Sequence, residues 1–437
     1  MTALDEDTAA PRLPSGAFRF GQLSRIGARM DRHRSVSPQS RLRRWVRSGA
    51  SALCLLGFVS ALNAAEPPLV RLAVGQGKDI RFAHLTSKGS LSFGQIRDIV
   101  QDDQGFLWFN TSNVLNRYDG YQLKSYRRDG AHPNYPPPGF LHFIFKDRSG
   151  FLWVSSNESL GRFDPATETT TRFPIDRDGP NSVLGPVRHM SQDRAGMLWL
   201  ATDNGLHRLD PASGTFRHYS HNPADPVSLR SSIVRSTYED REGNLWVCTL
   251  AGLDVFDRRT EQVTERVSLS VPSAREMWML EDHSGVLWIT YTSGNGLASW
   301  DRHSKRLMLY SFKDREPPGS QLSGVSGFHE DADGHLWLAT YGSGLVKIDS
   351  SRRSALQYRN SLLDRDSIDD DMLNSVFEDR EGNIWVGSAV GGANRFQRRP
   401  LPFHRYRHDA DNPEESSTGY HSNKIAGRRY RRQSLID

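Results

Sequence analysis

The sequence predicts an all-β protein, a seven-bladed β-propeller of four-stranded antiparallel blades preceded by a signal peptide. Three observations carry this. The frame Asp-x-x-Gly-x-(Leu/Ile)-Trp occurs seven times, ending at Trp108, Trp153, Trp199, Trp246, Trp288, Trp337 and Trp385. Successive tryptophans are 45, 46, 47, 42, 49 and 48 residues apart, a period that marks repeated supersecondary units. No unit offers the i, i+3, i+4 apolar spacing that an α-solenoid needs.

The third unit shows the grammar. Val187 to Gln192 is a short strand, and Asp193-Arg-Ala-Gly196 a tight turn in which Asp caps backbone N–H groups and Gly supplies positive φ. Leu198–Thr202 and Leu206–Leu209 form a hairpin across Asp203-Asn-Gly. Asp210 to Gly214 turns into a fourth strand at Thr215–Tyr219. Such a meander cannot bury both faces alone. Radial stacking of seven copies solves that and leaves only short edges. The frame Trp then fills the space between neighbours, and the frame Asp reads as a turn cap rather than a calcium ligand, because no alternating oxygen ligands follow it.

The chain has 437 residues and a net charge of +5. Residues 1–65 hold ten Arg and four acids; the remainder has 46 basic and 47 acidic groups, so no basic field draws it to nucleic acid. Arg41 to Arg47, the apolar run Ala50 to Leu62 and the small residues before Glu66 have the order of a secretory signal, with cleavage after Ala64 or Ala65 and Met30 as an alternative start. An uncleaved anchor is the other reading. The expected organisation is 1–65 extension and signal, 66–410 propeller, and 411–437 the shortened start of a further repeat. The expected location is periplasmic or secreted, with a membrane reached only beyond the C-terminal end or through an uncleaved N-terminal segment. The segment around Phe82 resembles a fourth strand and is expected to complete the last blade; Pro402 to Arg407 competes for the same edge. Cys248 reads as a small buried hydrophobe.

A binding site needs convergence, and innermost strands converge on one channel mouth. Five residues before each frame Asp stand Arg97, His142, Arg188, Arg235, Met277, Ser326 and Asn374; one further on are His189 and Trp278. This mostly polar row lies beside an apolar one. Arg forks suit carboxylate and a Trp face suits a sugar ring, so Arg97, His142, Arg188, His189, Arg235, Trp278 and Asn374 are the candidate ligand residues. A water-filled channel is the plain alternative. No nucleophile elbow, zinc helix, phosphate loop or paired-cysteine site is present, and no catalytic residue, metal or cofactor is expected. His189 and His329 have no activating neighbour in sequence.

Repeats of the form Glu-Asp-x-x-Gly-x-Leu-Trp-Val-x-Thr-x-x-Gly-Leu, clearest in the third, fourth and sixth units, resemble the two-component regulator propeller repeat. The resemblance covers roughly Leu91 to Arg407. It implies the periplasmic sensor of a hybrid histidine kinase or diguanylate cyclase receptor. Such receptors usually continue into a second propeller, an immunoglobulin-like domain, a membrane helix and an output domain, before which this chain would stop. It implies a small-molecule or carbohydrate ligand and a second receptor chain as partners. A protein-interaction propeller and an extracytoplasmic lyase or hydrolase are the alternatives.

Overall fold

The computed structural model describes residues 67–85, 95–127, 139–157, 159–174, 185–269, 277–292, 296–312 and 324–398, with isolated positions between 132 and 136. The signal region and the segments 402–407 and 411–437 lie outside the described residues.

Seven antiparallel meanders form the blades: Asp98–Tyr126, Leu141–Pro174, Val187–Tyr219, Val234–Val267, Met277–Ser311, Val325–Tyr358 and Leu373–Gln397. Their strands are called A to D in chain order. Strand A of every blade touches strand A of the next, and that of blade 7 touches that of blade 1, so the ring closes. In the third blade the observed strands are Val187–Gln192, Leu198–Thr202, Gly205–Leu209 and Phe216–Tyr219, as the turn residues predict.

The core is seven separate clusters, one at each junction. Trp153 of blade 2, for example, lies with Val187, Met190, Leu198 and Leu200 of blade 3. Trp385 of blade 7 meets Ile96, Ile99 and Phe109 of blade 1 and thereby seals the ring. Every frame Trp is at most 3% exposed.

An indole buried that deeply needs a partner for its N–H. The frame Asp supplies it. In all seven blades Trp Nε1 donates to Asp Oδ2 at 2.7–2.9 Å. The other oxygen, Oδ1, accepts the backbone N–H four residues on, as at Asn244 (2.8 Å). The frame is therefore one device: turn cap and blade wedge share a carboxylate. Its Gly takes φ near +90°, 89° at Gly243, where a side chain would be strained.

Blade 7 has three strands of its own. Ala83–Leu85 pairs antiparallel with its strand C, His84 opposite Asn394, and supplies the fourth. This is the closure expected around Phe82, which is itself buried against Phe396. Two further strands were not legible. Leu69–Arg71 and Ala73–Gln76 add in parallel to strand D of blades 5 and 6. The N-terminal strap thus runs along the outer edges of three consecutive blades. Leu72, fully buried, anchors it, and a Cβ at Gly77 would collide with the Tyr358 ring.

Candidate functional site

In an antiparallel meander, the A–B and C–D turns share one face, here the frame face. The B–C turns and D–A connections share the other, the mouth face. Strand A begins at the mouth.

There the strand is irregular. Pairing of strands A and B slips between Leu141 and Phe143, Val187 and His189, Val234 and Ser236, Val325 and Gly327, and Leu373 and Ser375. The bulged residues are His142, Arg188, Arg235, Ser326 and Asn374, five of the seven positions of the polar row. A β-bulge leaves one residue out of the ladder and re-aims its side chain. That explains why this row is polar although its neighbours are buried. Blade 5 has no slip: Met277 pairs with Tyr291 and is buried at the blade 4–5 junction, and Trp278 beside it stays half-buried. Trp300, by contrast, is core.

The mouth residues form two polar groups. In the first, Asp203 of the blade 3 B–C turn holds two arginines. Its Oδ2 accepts from Arg188 Nη2 (2.6 Å) and Nε (3.2 Å), and its Oδ1 from Arg235 Nη1 (2.7 Å). Burial acts to raise the Asp203 carboxyl, but Arg188 and Arg235 outweigh it and hold it below the ordinary carboxylate range. In the second group, His142 Nε2 lies 2.5 Å from Asn157 Oδ1. Arg97 lies over the Phe140 ring at 4.4 Å and donates weakly to Gln95 (3.4 Å). Gln95 donates to Asn374 Oδ1 (3.2 Å), and Asn374 Nδ2 donates to the Ile96 carbonyl (2.9 Å). The two groups feel each other: burial lowers the His142 pKa, and the nearby Arg188 and Arg97 lower it further.

His189 sits one step deeper. Its Nδ1 accepts from the Thr237 N–H at 3.4 Å, and burial pushes its pKa down to about 4, so it is neutral at pH 7. His329 points elsewhere, to Glu378 at 3.1 Å. The structure therefore gathers Arg97, His142, Arg188, Arg235 and Asn374 at one mouth. It adds Asp203, Asn157, Gln95 and Phe140, which the sequence analysis passed over. Asp203 was legible only as a hairpin residue.

On the frame face, Asp331, Asp333 and His335 stand close enough to share an ion. Each already has a partner: Trp337 Nε1 donates to Asp331 (2.8 Å), Arg398 pairs with Asp333, and His335 bonds Asp331 (3.1 Å). Cys248 is fully buried, with its sulfur 3.7 Å from that of Met277.

Residues 90–113, 228–251 and 367–389 match the family model described as two component regulator propeller. Each stretch ends in strand B or just beyond it and includes strand A and the frame turn. These three stretches, in blades 1, 4 and 7, are similar to the two-component regulator propeller repeat, and all seven blades share the Asp–Trp device. Comparison with curated protein sequences finds no match. Among solved structures, the ring is similar to the extracellular domain of a hybrid two component system from B. thetaiotaomicron, at 23% identity and a TM-score of 0.63, over 74% of this chain and 43% of that one. A second extracellular domain from the same organism gives 17% identity and 0.60, over 74% and 40%. Virginiamycin B lyase from Staphylococcus aureus gives 14% and 0.56, over 73% of this chain and 99% of the lyase. The chain spans less than half the length of the two extracellular domains. At these identities the likeness concerns the fold.

Proposed function

We propose that this propeller is the ligand-recognition module of a bacterial two-component or cyclic-di-GMP receptor, working in the periplasm or outside the cell. The observation that carries the reading is the bulged polar row. Five blades give up ladder regularity here, and four of the bulged residues, His142, Arg188, Arg235 and Asn374, turn out at one opening, where Arg97 joins them. A channel that only held water would need no such convergence of donors. The repeat family and the sensor-domain neighbours support the signalling context.

The ligand class is a small polar molecule carrying acid and hydroxyl groups, a sugar acid being the simplest example. Trp278, half-buried and outside the packing clusters, stands on strand A of blade 5, one residue past the polar row, and is the aromatic candidate for packing on a sugar ring. A library of mono- and oligosaccharides and their acids, screened by shift of the unfolding temperature, tests this. Hits should lose their shift in Asn374→Ala and Trp278→Ala. Hits that survive both changes would place binding elsewhere, such as a rim used for proteins.

The lyase neighbour motivates a second reading, because the ring matches that enzyme end to end. Turnover of a sugar acid or of virginiamycin B by the purified chain would favour it.

A further inference from the structure

The three arginines of the mouth are not equivalent. The edge of Arg188 that grips a carboxylate, Nε with Nη2, is closed on Asp203, and the other Asp203 oxygen takes Arg235. Around the ring, the residue matching Asp203 is Ser112, Asn157, Leu250, Thr292, Tyr341 or Ala389. Asp203 is thus the one acid in that row. It sits where a ligand carboxylate would sit: it closes the fork of Arg188 and pairs with one nitrogen of Arg235.

Arg97 is different. Among the described residues no carboxylate pairs with it; its Nε, like that of Arg235, is buried without a hydrogen-bond partner. Its backbone N–H donates to the Asn110 carbonyl at 2.8 Å. Asn110 is fully buried, yet its side-chain nitrogen and oxygen both lack a partner. Such a residue costs free energy unless something completes it. At the matching position the other blades carry Ser155, Ala201, Cys248, Thr290, Ala339 and Gly387. An amide here is therefore not required by the fold. The Asn110 carbonyl holds the Arg97 backbone, and the guanidinium lies over the Phe140 ring, whose edge meets His142.

We propose that Arg97, with Phe140, is the anion subsite of the mouth, and that Asp203 is a resident counter-ion that keeps Arg188 and Arg235 from accepting a second anion. This rests on the mouth being the ligand site. It narrows the ligand to a monocarboxylate bearing hydroxyls: the carboxylate faces Arg97, hydroxyls reach Asn157, and the ring lies toward Phe140. A dicarboxylate is disfavoured because its second charge meets Asp203 rather than a free cation.

Glucuronate and glucarate differ in having one or two carboxylates and serve as probes. Their affinities are measured by calorimetry at equal ionic strength, with unfolding temperature reporting the integrity of each variant. Wild type should prefer glucuronate. Arg97→Ala should weaken glucuronate at least about tenfold, and Arg97→Lys, which keeps charge but loses the fork, should weaken it less. Asp203→Asn should strengthen glucarate about tenfold and reverse the preference. Arg97→Ala within twofold of wild type, or Asp203→Asn without gain for glucarate, overturns the assignment. If Arg188→Ala rather than Arg97→Ala abolishes glucuronate binding, the mouth remains the ligand site and the subsite is misplaced. If neither probe binds wild type or Asp203→Asn, an anion-binding mouth falls along with the subsite.

Discussion

Blades 4–7 are fastened on the frame face in a way that blades 1–3 are not. Before the frame Asp, blades 4–7 carry Glu239, Glu281, Glu330 and Glu378, whereas blades 1–3 carry Gln101, Lys146 and Gln192. Just after strand C, blades 4–7 carry Arg258, Arg302, Arg352 and Arg398, whereas the C–D turns of blades 1–3 hold no arginine. Each of these arginines grips its own blade's Glu and reaches into the preceding blade. Arg302 meets Glu281 at 2.7 Å and Asp240, the frame Asp of blade 4, at 2.6 Å. Arg352 meets Glu330 at 2.8 Å and Asp282 at 3.2 Å. Arg258 does the same with Glu239 and Asp193, and Arg398 pairs with Glu378 and Asp333. Four junctions are stapled by charge. The other three lack this arginine: blades 1 and 2 are joined by the more exposed pairs Lys146–Asp103 (2.8 Å) and Lys124–Glu168 (2.6 Å), blades 7 and 1 by Arg380–Asp103 (3.4 Å), and blades 2 and 3 by neutral contacts such as Arg148 Nη1 to the Asp193 carbonyl at 2.8 Å. The same wedge thus tolerates two kinds of fastening. The unstapled junctions lie in the sector of the ring that carries Arg97, His142 and Arg188 at its mouth.

The contrast can be broken at the wedge first. Trp153→Ala, at an unstapled junction, removes a fully buried indole and leaves Asp147 without its donor. A loss of about 3–5 kcal/mol is expected by urea unfolding. Trp246→Ala at a stapled junction should cost the same or less, since Arg302 still engages Asp240. If Trp246→Ala proved the worse by more than about 1 kcal/mol, the staple would not be sharing the work.

Next comes the staple. Arg302→Met strands Glu281 and Asp240, both nearly inaccessible, and should cost about 3 kcal/mol. Arg148→Met, its nearest counterpart in blade 2, is expected to cost under about 1 kcal/mol. Equal costs would dissolve the comparison.

Acid should act on the staples more gradually. Burial works to raise Asp240 and Asp282, but bonds from Trp246 and Asn244, and from Ser284 and Trp288, with Arg302 and Arg352 behind them, leave both below the ordinary value. A depressed folded pKa means that the unfolded chain binds protons first. The stabilisation is whole above about pH 4 and is lost as pH falls through that value toward the folded pKa. Unfolding temperature should therefore drop below pH 4, and Arg302→Met should flatten the drop. An unchanged pH slope in that variant would remove the staple from the account.

The smallest effect is expected on the mouth face. Leu362 and Leu363 are 97% and 99% exposed at the tip of the blade 6–7 connection. Changing both to Ser should move stability by less than about 0.5 kcal/mol. A loss above 1 kcal/mol would mean that the tip is covered in solution.

Much of the ring was legible because its grammar is local. Asp193, Gly196 and Trp199 are close in sequence, and their spacing alone announces turn, strand and wedge. The direction of the polar row was legible too, since Arg188 and Arg235 interrupt an apolar neighbourhood. What escaped depends on partners far apart in the chain. Asp203 looked like a hairpin residue because its bond to Arg235 crosses into the next blade. Leu69–Arg71 carries no repeat signature, because an outer parallel strand needs only backbone groups and one anchor, Leu72. The staples were visible in principle: Glu before the frame Asp and Arg after strand C occur in the same four units. Only the ring shows that the arginine also reaches backward.

The strap ties the beginning of the chain to its far end: Ala83 has to find Arg395. At ordinary rates of synthesis that partner emerges roughly 15–60 s later. Until then the strands at 69–76 and 83–85 have no sheet to join, while blades 1–4 are already able to assemble. Ring closure is thus the last step in assembling the propeller, and the strands at 69–76 and 83–85 must be kept from other exposed edges throughout the wait.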